Sequence, residues 1–259
     1  QTCALPISLV GIGTGNPDHL TLQAVEAIRA ADLLLIPDKG ENKQELADLR
    51  RRIAAGCVEE GRTRVLSFPM PERDPDVADY RTRVRLWHDA IAQAWLDTLA
   101  PYPEARKVAL LVWGDPALFD STLRIAGRLG KAVRLDLKVV PGLMSLQVLA
   151  ASHAIPLNRL AEPFLVTTGR HLREHGWPSG IDTLVVMLDG ECSFTTLDPA
   201  GVSIWWGAYL GMKGEILEHG PLSEAGPRIL KVRAEARERR GWIMDIYLLR
   251  REPSLASAP

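Results

Sequence analysis

The sequence predicts an α/β fold built as two unequal α/β domains with an interdomain cleft, on three observations. Short β-rich apolar runs alternate with helical patterns through the first half, as in βαβ units around a mainly parallel sheet. In the second half strands follow one another at hairpin-like spacing, which implies mixed or antiparallel pairing. A turn signal at Gly130 and Lys131 separates the two styles.

Taken in order, residues 7–13 read as a strand, 20–31 as a helix, 33–37 as a strand and 43–55 as a helix. A strand at 65–68, a long helix from about 75 to 99, a strand at 108–113 and a helix at 121–129 complete the first domain. The long helix has the clearest periodicity. Val77, Tyr80, Val84, Trp87, Ile91 and Trp95 recur at steps of three and four and make one apolar stripe for a core. Arg81, Arg83, Arg85 and Asp89 fall on the other faces. The second domain opens with a strand at 137–140 and a helix at 144–151. Strands at 164–168, 184–188, 204–209, 216–219 and 242–249 then dominate, with one charged helical stretch at 228–239. The expected domains are 1–130 and 131–251, with 252–259 a disordered tail.

Composition narrows the function. With 46% hydrophobic and 24% charged residues in 259, the chain has the make-up of an ordinary globular protein, not of a disordered or fibrous one. A formal net charge of −1 gives no global positive field to draw it to nucleic acid or an anionic membrane, so neither is expected as a partner. The apolar runs are far shorter than the ~20 residues that span a bilayer. The start, Gln-Thr-Cys-Ala-Leu-Pro, lacks the basic and long apolar segments of a signal peptide, and a cytoplasmic protein is expected. Cys3, Cys57 and Cys192 are far apart and without CxxC spacing, which indicates neither a zinc site nor a disulfide framework. His171 and His175 stand four apart, but Gly176 and Pro178 argue against a long helix there, and no metal is expected.

Three segments carry the chemistry. The first, Val10-Gly-Ile-Gly-Thr-Gly-Asn-Pro-Asp-His-Leu-Thr-Leu, follows a strand and precedes a helix; Gly11, Gly13 and Gly15 let the backbone turn tightly and lie bare against a ligand. A dinucleotide fingerprint fits poorly, because the third glycine comes one position early and only Asp38 is near the required acidic residue. A Gly-rich turn with no ligand stays open. The second, Leu111-Val-Trp-Gly-Asp-Pro-Ala-Leu-Phe-Asp-Ser-Thr, leaves a buried strand as an open loop, since Asp115 precedes a proline and is held extended. The third, Val139-Val-Pro-Gly-Leu-Met-Ser, is a strand, a turn and a helix start with free N–H groups.

In this order and spacing the patterns GxGxGxPxxLT, GDPxxF about 100 residues later and VVPG resemble the tetrapyrrole (corrin/porphyrin) methylase superfamily, over about residues 7–250. Within it, the stretches beginning at Ser67, Trp113 and Gly241 are similar to the deacetylating precorrin-6A synthase branch. The resemblance implies S-adenosylmethionine as methyl donor, S-adenosylhomocysteine as its product, and usually a homodimer, with the donor in the cleft between domains. It implies a polycarboxylate macrocycle, precorrin-5, as substrate, methylated at C1 with the acetyl group released as acetate. Carried over, the donor shell is Gly11, Gly13, Thr14 and Gly15; Trp113, Gly114, Asp115 and Leu118; Met144 and Ser145; Leu188; and Tyr209 or Leu210. Thr14 and Met144 depart from the family, where Pro and a small hydroxyl residue are common. Acetyl loss needs water added to a carbonyl, for which Asp38 or Asp115 is the candidate general base, Asp115 being equally readable as a turn residue. Arg73, Arg81 and Arg170 are candidates for binding the substrate carboxylates. Another methylase of the superfamily and an NAD(P)-dependent enzyme remain as rivals.

Overall fold

The computed structural model describes residues 4–38, 44–58 and 61–252, so Cys3 and the expected tail beyond Glu252 lie outside the described residues. The chain divides into two compact units, Gln1–Met144 and Ser145–Pro259.

The first unit runs β1 (Leu5–Gly11), α1 (Leu22–Arg29), β2 (Leu33–Asp38), α2 (Gln44–Cys57), β3 (Arg64–Pro69), α3 (Tyr80–Leu99), β4 (Val108–Val112), α4 (Thr122–Ala132) and β5 (Leu135–Val140). Its sheet has the order β3-β2-β4-β1-β5, with every pairing parallel. Side chains alternate across a strand, so a strand buried on both faces needs an unbroken apolar run. Leu33 and Leu35 of β2 and Leu110 of β4 pack with Ile91 and Trp95 of α3 and Ile125 of α4. Leu34 and Leu111, one position along, pack with Ile28 of α1 and Ile53 of α2. Two helical layers thus cover the sheet.

Two expectations need correction here. The long helix starts at Tyr80 rather than near residue 75, because the Asp79 carboxylate accepts the Thr82 N–H at 2.7 Å and caps it. The domain boundary expected at 130/131 falls inside α4, whose last turn tolerates Gly130. The chain then pairs β5 with β1, Leu9 opposite Val139, so this strand closes the first sheet instead of opening a second one.

The second unit runs α5 (Ser145–Ser152), β6 (Leu165–Thr168), α6 (Gly169–His175), β7 (Thr183–Met187), β8 (Val202–Ala208), β9 (Ile216–Pro221), α7 (Leu222–Arg240) and β10 (Asp245–Arg251). Its sheet, β6-β7-β10-β8-β9, is mixed: β6 and β7 are parallel and the other pairs antiparallel. The charged helix begins six residues earlier than the expected 228, and runs through Pro227. Interior proline argues against a helix. Tertiary burial overrides it, because Leu222, Ala225, Ile229, Arg233 and Ala236 form one buried face.

Candidate functional site

β1 and β4 are neighbours in the sheet, yet their chains leave it for opposite faces, β1 toward α1 and β4 toward α4. A crevice therefore opens beyond the carboxyl ends of these strands, the place where open α/β sheets bind ligands. The Gly-rich loop and the Gly-Asp-Pro loop meet there. The Gly114 N–H donates to the Gly13 carbonyl at 2.8 Å, and the Gly13 N–H to the Gly114 carbonyl at 3.4 Å. The third loop closes against both, backbone on backbone. A Cβ on Gly142 would stand 2.1 Å from the Gly114 carbonyl oxygen, and one on Gly11 would stand 2.6 Å from the Gly142 nitrogen. The three segments singled out in the sequence thus form one cradle with almost no side chains at its centre.

Asp115 is the staple of this cradle. One carboxylate oxygen accepts the Ala117 N–H at 2.7 Å and the other accepts the Gly142 N–H at 2.9 Å, tying the second loop to the third. In the first loop Gly13 sits at φ 71°, and a Cβ there would stand 2.9 Å from the Cβ of His19. Its bareness is required by its own loop. The Thr14 hydroxyl reaches the His19 ring at 3.1 Å, and Gly15 takes φ 111°. Trp113 is half-buried, while Leu118 precedes Phe119, which is exposed and held at φ 50°. Met144 ends the first unit, and Ser145 begins α5.

The cradle is ill-suited to a pyrophosphate. A 3-10 turn, Pro17–His19, separates the glycines from α1, and the N-terminus of α1 is already capped by Thr21, whose hydroxyl accepts the Ala24 N–H at 3.0 Å. A dinucleotide needs those N–H groups for itself. The backbone of Gly11, Gly13 and Gly15 is itself buried, with Gly13 paired to Gly114 and the Gly142 N–H held by Asp115.

In the second unit β7 and β8 both run antiparallel to β10, with Val186 and Trp206 each opposite Tyr247, so their carboxyl ends share one sheet edge. Leu188 follows β7 at φ 53° and is 65% exposed, and Tyr209 follows β8 at φ 53°. Left-handed backbone at non-glycine residues costs on the order of 1–3 kcal/mol and gathers at functional sites. The Tyr209 ring is core, its hydroxyl donating to the Trp242 carbonyl at 2.6 Å, and Leu210 is buried against Gly207. Any ligand contact there falls to backbone. The Leu188 bend is anchored by buried Asp189, which accepts the Tyr247 hydroxyl at 2.6 Å and the Ser193 hydroxyl at 2.9 Å. Gly169 is bare because its Cβ would meet that carboxylate carbon at 2.2 Å.

Asp38 is exposed at the end of β2. Arg73 stacks its guanidinium over the Trp87 ring at 4.3 Å, and Arg81 is exposed in the first turn of α3. Arg170 pairs with Glu174 at 2.8 Å on the surface of α6. The His171 and His175 rings of that helix stack at 4.3 Å, and among the described residues no group of three or more His, Cys, Asp or Glu is placed to hold a metal ion. Among the same residues no helix is long and apolar enough to cross a membrane.

The family model for tetrapyrrole (corrin/porphyrin) methylases matches residues 6–226, spanning the cradle and most of both sheets. The chain belongs to this family. The methylase is 46% identical over 248 residues, 95% of each chain, to a precorrin-6A synthase (deacetylating) of Sinorhizobium sp. Its fold matches that of a cobalamin-synthesis-related protein, CobF, of Corynebacterium diphtheriae with a TM-score of 0.81 and 35% identity, covering 96% of this chain and 99% of the other. A uroporphyrin-III C-methyltransferase of Thermus thermophilus, crystallised with S-adenosyl homocysteine, shares the fold with a TM-score of 0.56 and 21% identity, covering 94% and 91% of the two chains. The sequence motifs mark the three loops that meet here, but give no sign of His19, which packs against Gly13, or of Arg50. Arg50 is 8% exposed with its guanidinium 4.9 Å from the Trp113 ring centre. A lone arginine within a helix carries no local signal, because its burial comes from the strands it packs on.

Proposed function

We propose that this methylase transfers a methyl group from S-adenosylmethionine to C1 of precorrin-5 and releases the acetyl group as acetate, giving precorrin-6A in cobalamin synthesis. The observation that carries the reading is the 46% identity, over 95% of both chains, to a precorrin-6A synthase (deacetylating). What supports donor binding is that the Gly-rich, Gly-Asp-Pro and Pro-Gly loops converge on one another, bringing Gly13, Gly114 and Gly142 together beside the segments that carry Thr14, Trp113, Leu118, Met144 and Ser145. When bound, S-adenosylmethionine supplies a methyl group already activated by its positive sulfur. The work left to the chain is alignment and exclusion of water. The macrocycle brings its own electron-rich carbon, so no strong base is needed for the transfer.

Loss of the acetyl group is different. Water adds to the acetyl carbonyl, the bond to the ring carbon breaks, and acetate leaves while the ring carbon keeps the electron pair. A carboxylate that takes the water proton speeds this step. Asp115 is committed to two backbone N–H groups, so the base role is assigned to Asp38, and Asp115 is a positioning residue. Leu188, Tyr209 and Leu210 contribute to donor binding through backbone, and Arg73, Arg81 and Arg170 to the macrocycle's carboxylates.

The test is incubation with precorrin-5 and methyl-labelled donor. The expected product has gained one labelled methyl and lost its acetyl group, with an equal amount of acetate in solution. Label entering a different precorrin assigns the chain to another methylase of the family, and binding of NAD(P) without binding of the donor overturns the reading.

A further inference from the structure

On the α3 and α4 face of the first unit, beside the Gly-Asp-Pro loop, the carboxyl ends of β2, β3 and β4 enclose a cavity of about 180 Å³. Sites that enclose drug-sized ligands run to ~300–1,000 Å³, so this one suits a fragment and not a macrocycle. Phe68 and neighbouring apolar side chains form its walls, and Arg50, Trp95, Phe119, Asp120 and Thr122 line the rest. Two of these groups are donors lacking a full set of acceptors. Trp95 is 2% exposed, and its indole N–H has no hydrogen-bond partner among the described residues. Arg50 spends its Nε on the Leu111 carbonyl at 3.4 Å and forms no ion pair among those residues. Burial pushes the Arg50 guanidinium down to about 10, with Asp120 opposing the shift. Asp120 itself accepts the Thr122 N–H at 2.6 Å, which fixes it at the start of α4. A buried donor without an acceptor is costly, and a planar guanidinium is best satisfied by two parallel oxygens.

We propose that this cavity is a binding pocket for a short aliphatic carboxylate, held by the Arg50 guanidinium and the Trp95 indole N–H with its carbon chain against the Phe68 wall. Such a group has two sources: a carboxylate side arm of the macrocycle, or the acetate set free by the reaction. The choice of source rests on the activity proposed above; the pocket does not.

The experiment titrates the full chain, labelled with ¹⁵N at its indoles, with sodium acetate and, separately, sodium propionate, against sodium chloride at equal ionic strength. The Trp95 indole resonance, identified by its loss in Trp95→Phe, is expected to shift saturably with the acids and not with chloride. A four-atom ligand held by these few contacts should show a millimolar midpoint. Calorimetry should then find affinity down about 3- to 10-fold in Trp95→Phe and at least about 10-fold in Arg50→Met. If Arg50→Met fails to fold, Arg50→Lys, which keeps the charge and loses the planar fork, is expected to weaken binding as well. No saturable shift with either acid, or an unchanged midpoint in both Arg50 variants, overturns the proposal. Repeating the titration with precorrin-5 present separates the sources: competition identifies the side arm, and acetate binding beside the macrocycle identifies the released acid. If the chain leaves precorrin-5 unconverted while the Arg50-dependent shift persists, the pocket stands and the proposed function falls.

Discussion

Asp115 holds two backbone N–H groups with two oxygens, and an asparagine has only one oxygen to offer. Asp115→Asn should therefore turn an amide N–H₂ toward either Ala117 or Gly142, at a cost of about 1–3 kcal/mol, and loosen the cradle. Methyl incorporation and acetate release are then expected to slow together. Asp38→Asn should separate them, slowing acetate release by ~10²-fold or more while methyl transfer continues. Following both products in parallel decides between the two roles. At Gly13 a valine meets both a left-handed φ of 71° and the Cβ of His19 at 2.9 Å. Gly13→Val should lose the donor heat in calorimetry and also about 2–4 kcal/mol of stability in chemical denaturation. The three-glycine motif was legible in the sequence as a bare-backbone loop. Why Gly11 and Gly13 are bare was not, because the atoms they spare belong to His19, Gly114 and Gly142 and are brought close only by folding.

At the scale of elements, the C-terminal part of the α3 stripe was legible, because Trp87, Ile91 and Trp95 repeat at the helical period and pack on the core, whereas Val77 lies before the helix and Tyr80 is exposed in its first turn. The start of α3 and the first turns of α7 were not legible, since a single Asp79 cap and the burial of Leu222 outweigh the local pattern. The α3 stripe also carries His88, 4% exposed, whose imidazole is held below its ordinary range first by burial and then by Arg128, Arg124 and Arg73. His153, just beyond α5, is lowered chiefly by burial as well. The unfolded chain takes up these protons near the usual histidine value of ~6.5, whereas the folded chain resists until lower pH. Stability from this source is complete above that value and is lost as the pH falls below it. Melting temperature should drop from pH 7 toward pH 5, and His88→Leu should flatten part of that decline in thermal scans.

For the whole molecule, the two styles of sheet were legible and the point of division was not. β5 belongs with the strands before it because its partner is β1, and a pairing between the two ends of a unit leaves no trace in any local window. A fragment ending at Met144 retains both apolar layers of the first sheet and should unfold cooperatively in urea. One ending at residue 130 leaves the apolar edge of β1 unpaired and should aggregate. The same strand order bears on how the chain is made. β1 is translated well before its partners β4 and β5, which follow only around Val108–Val112 and Leu135–Val140. At about 5–20 residues per second, the strand Leu5–Gly11 waits seconds with both edges open. The nascent methylase is thus most in need of a holding chaperone between the synthesis of β1 and that of β4.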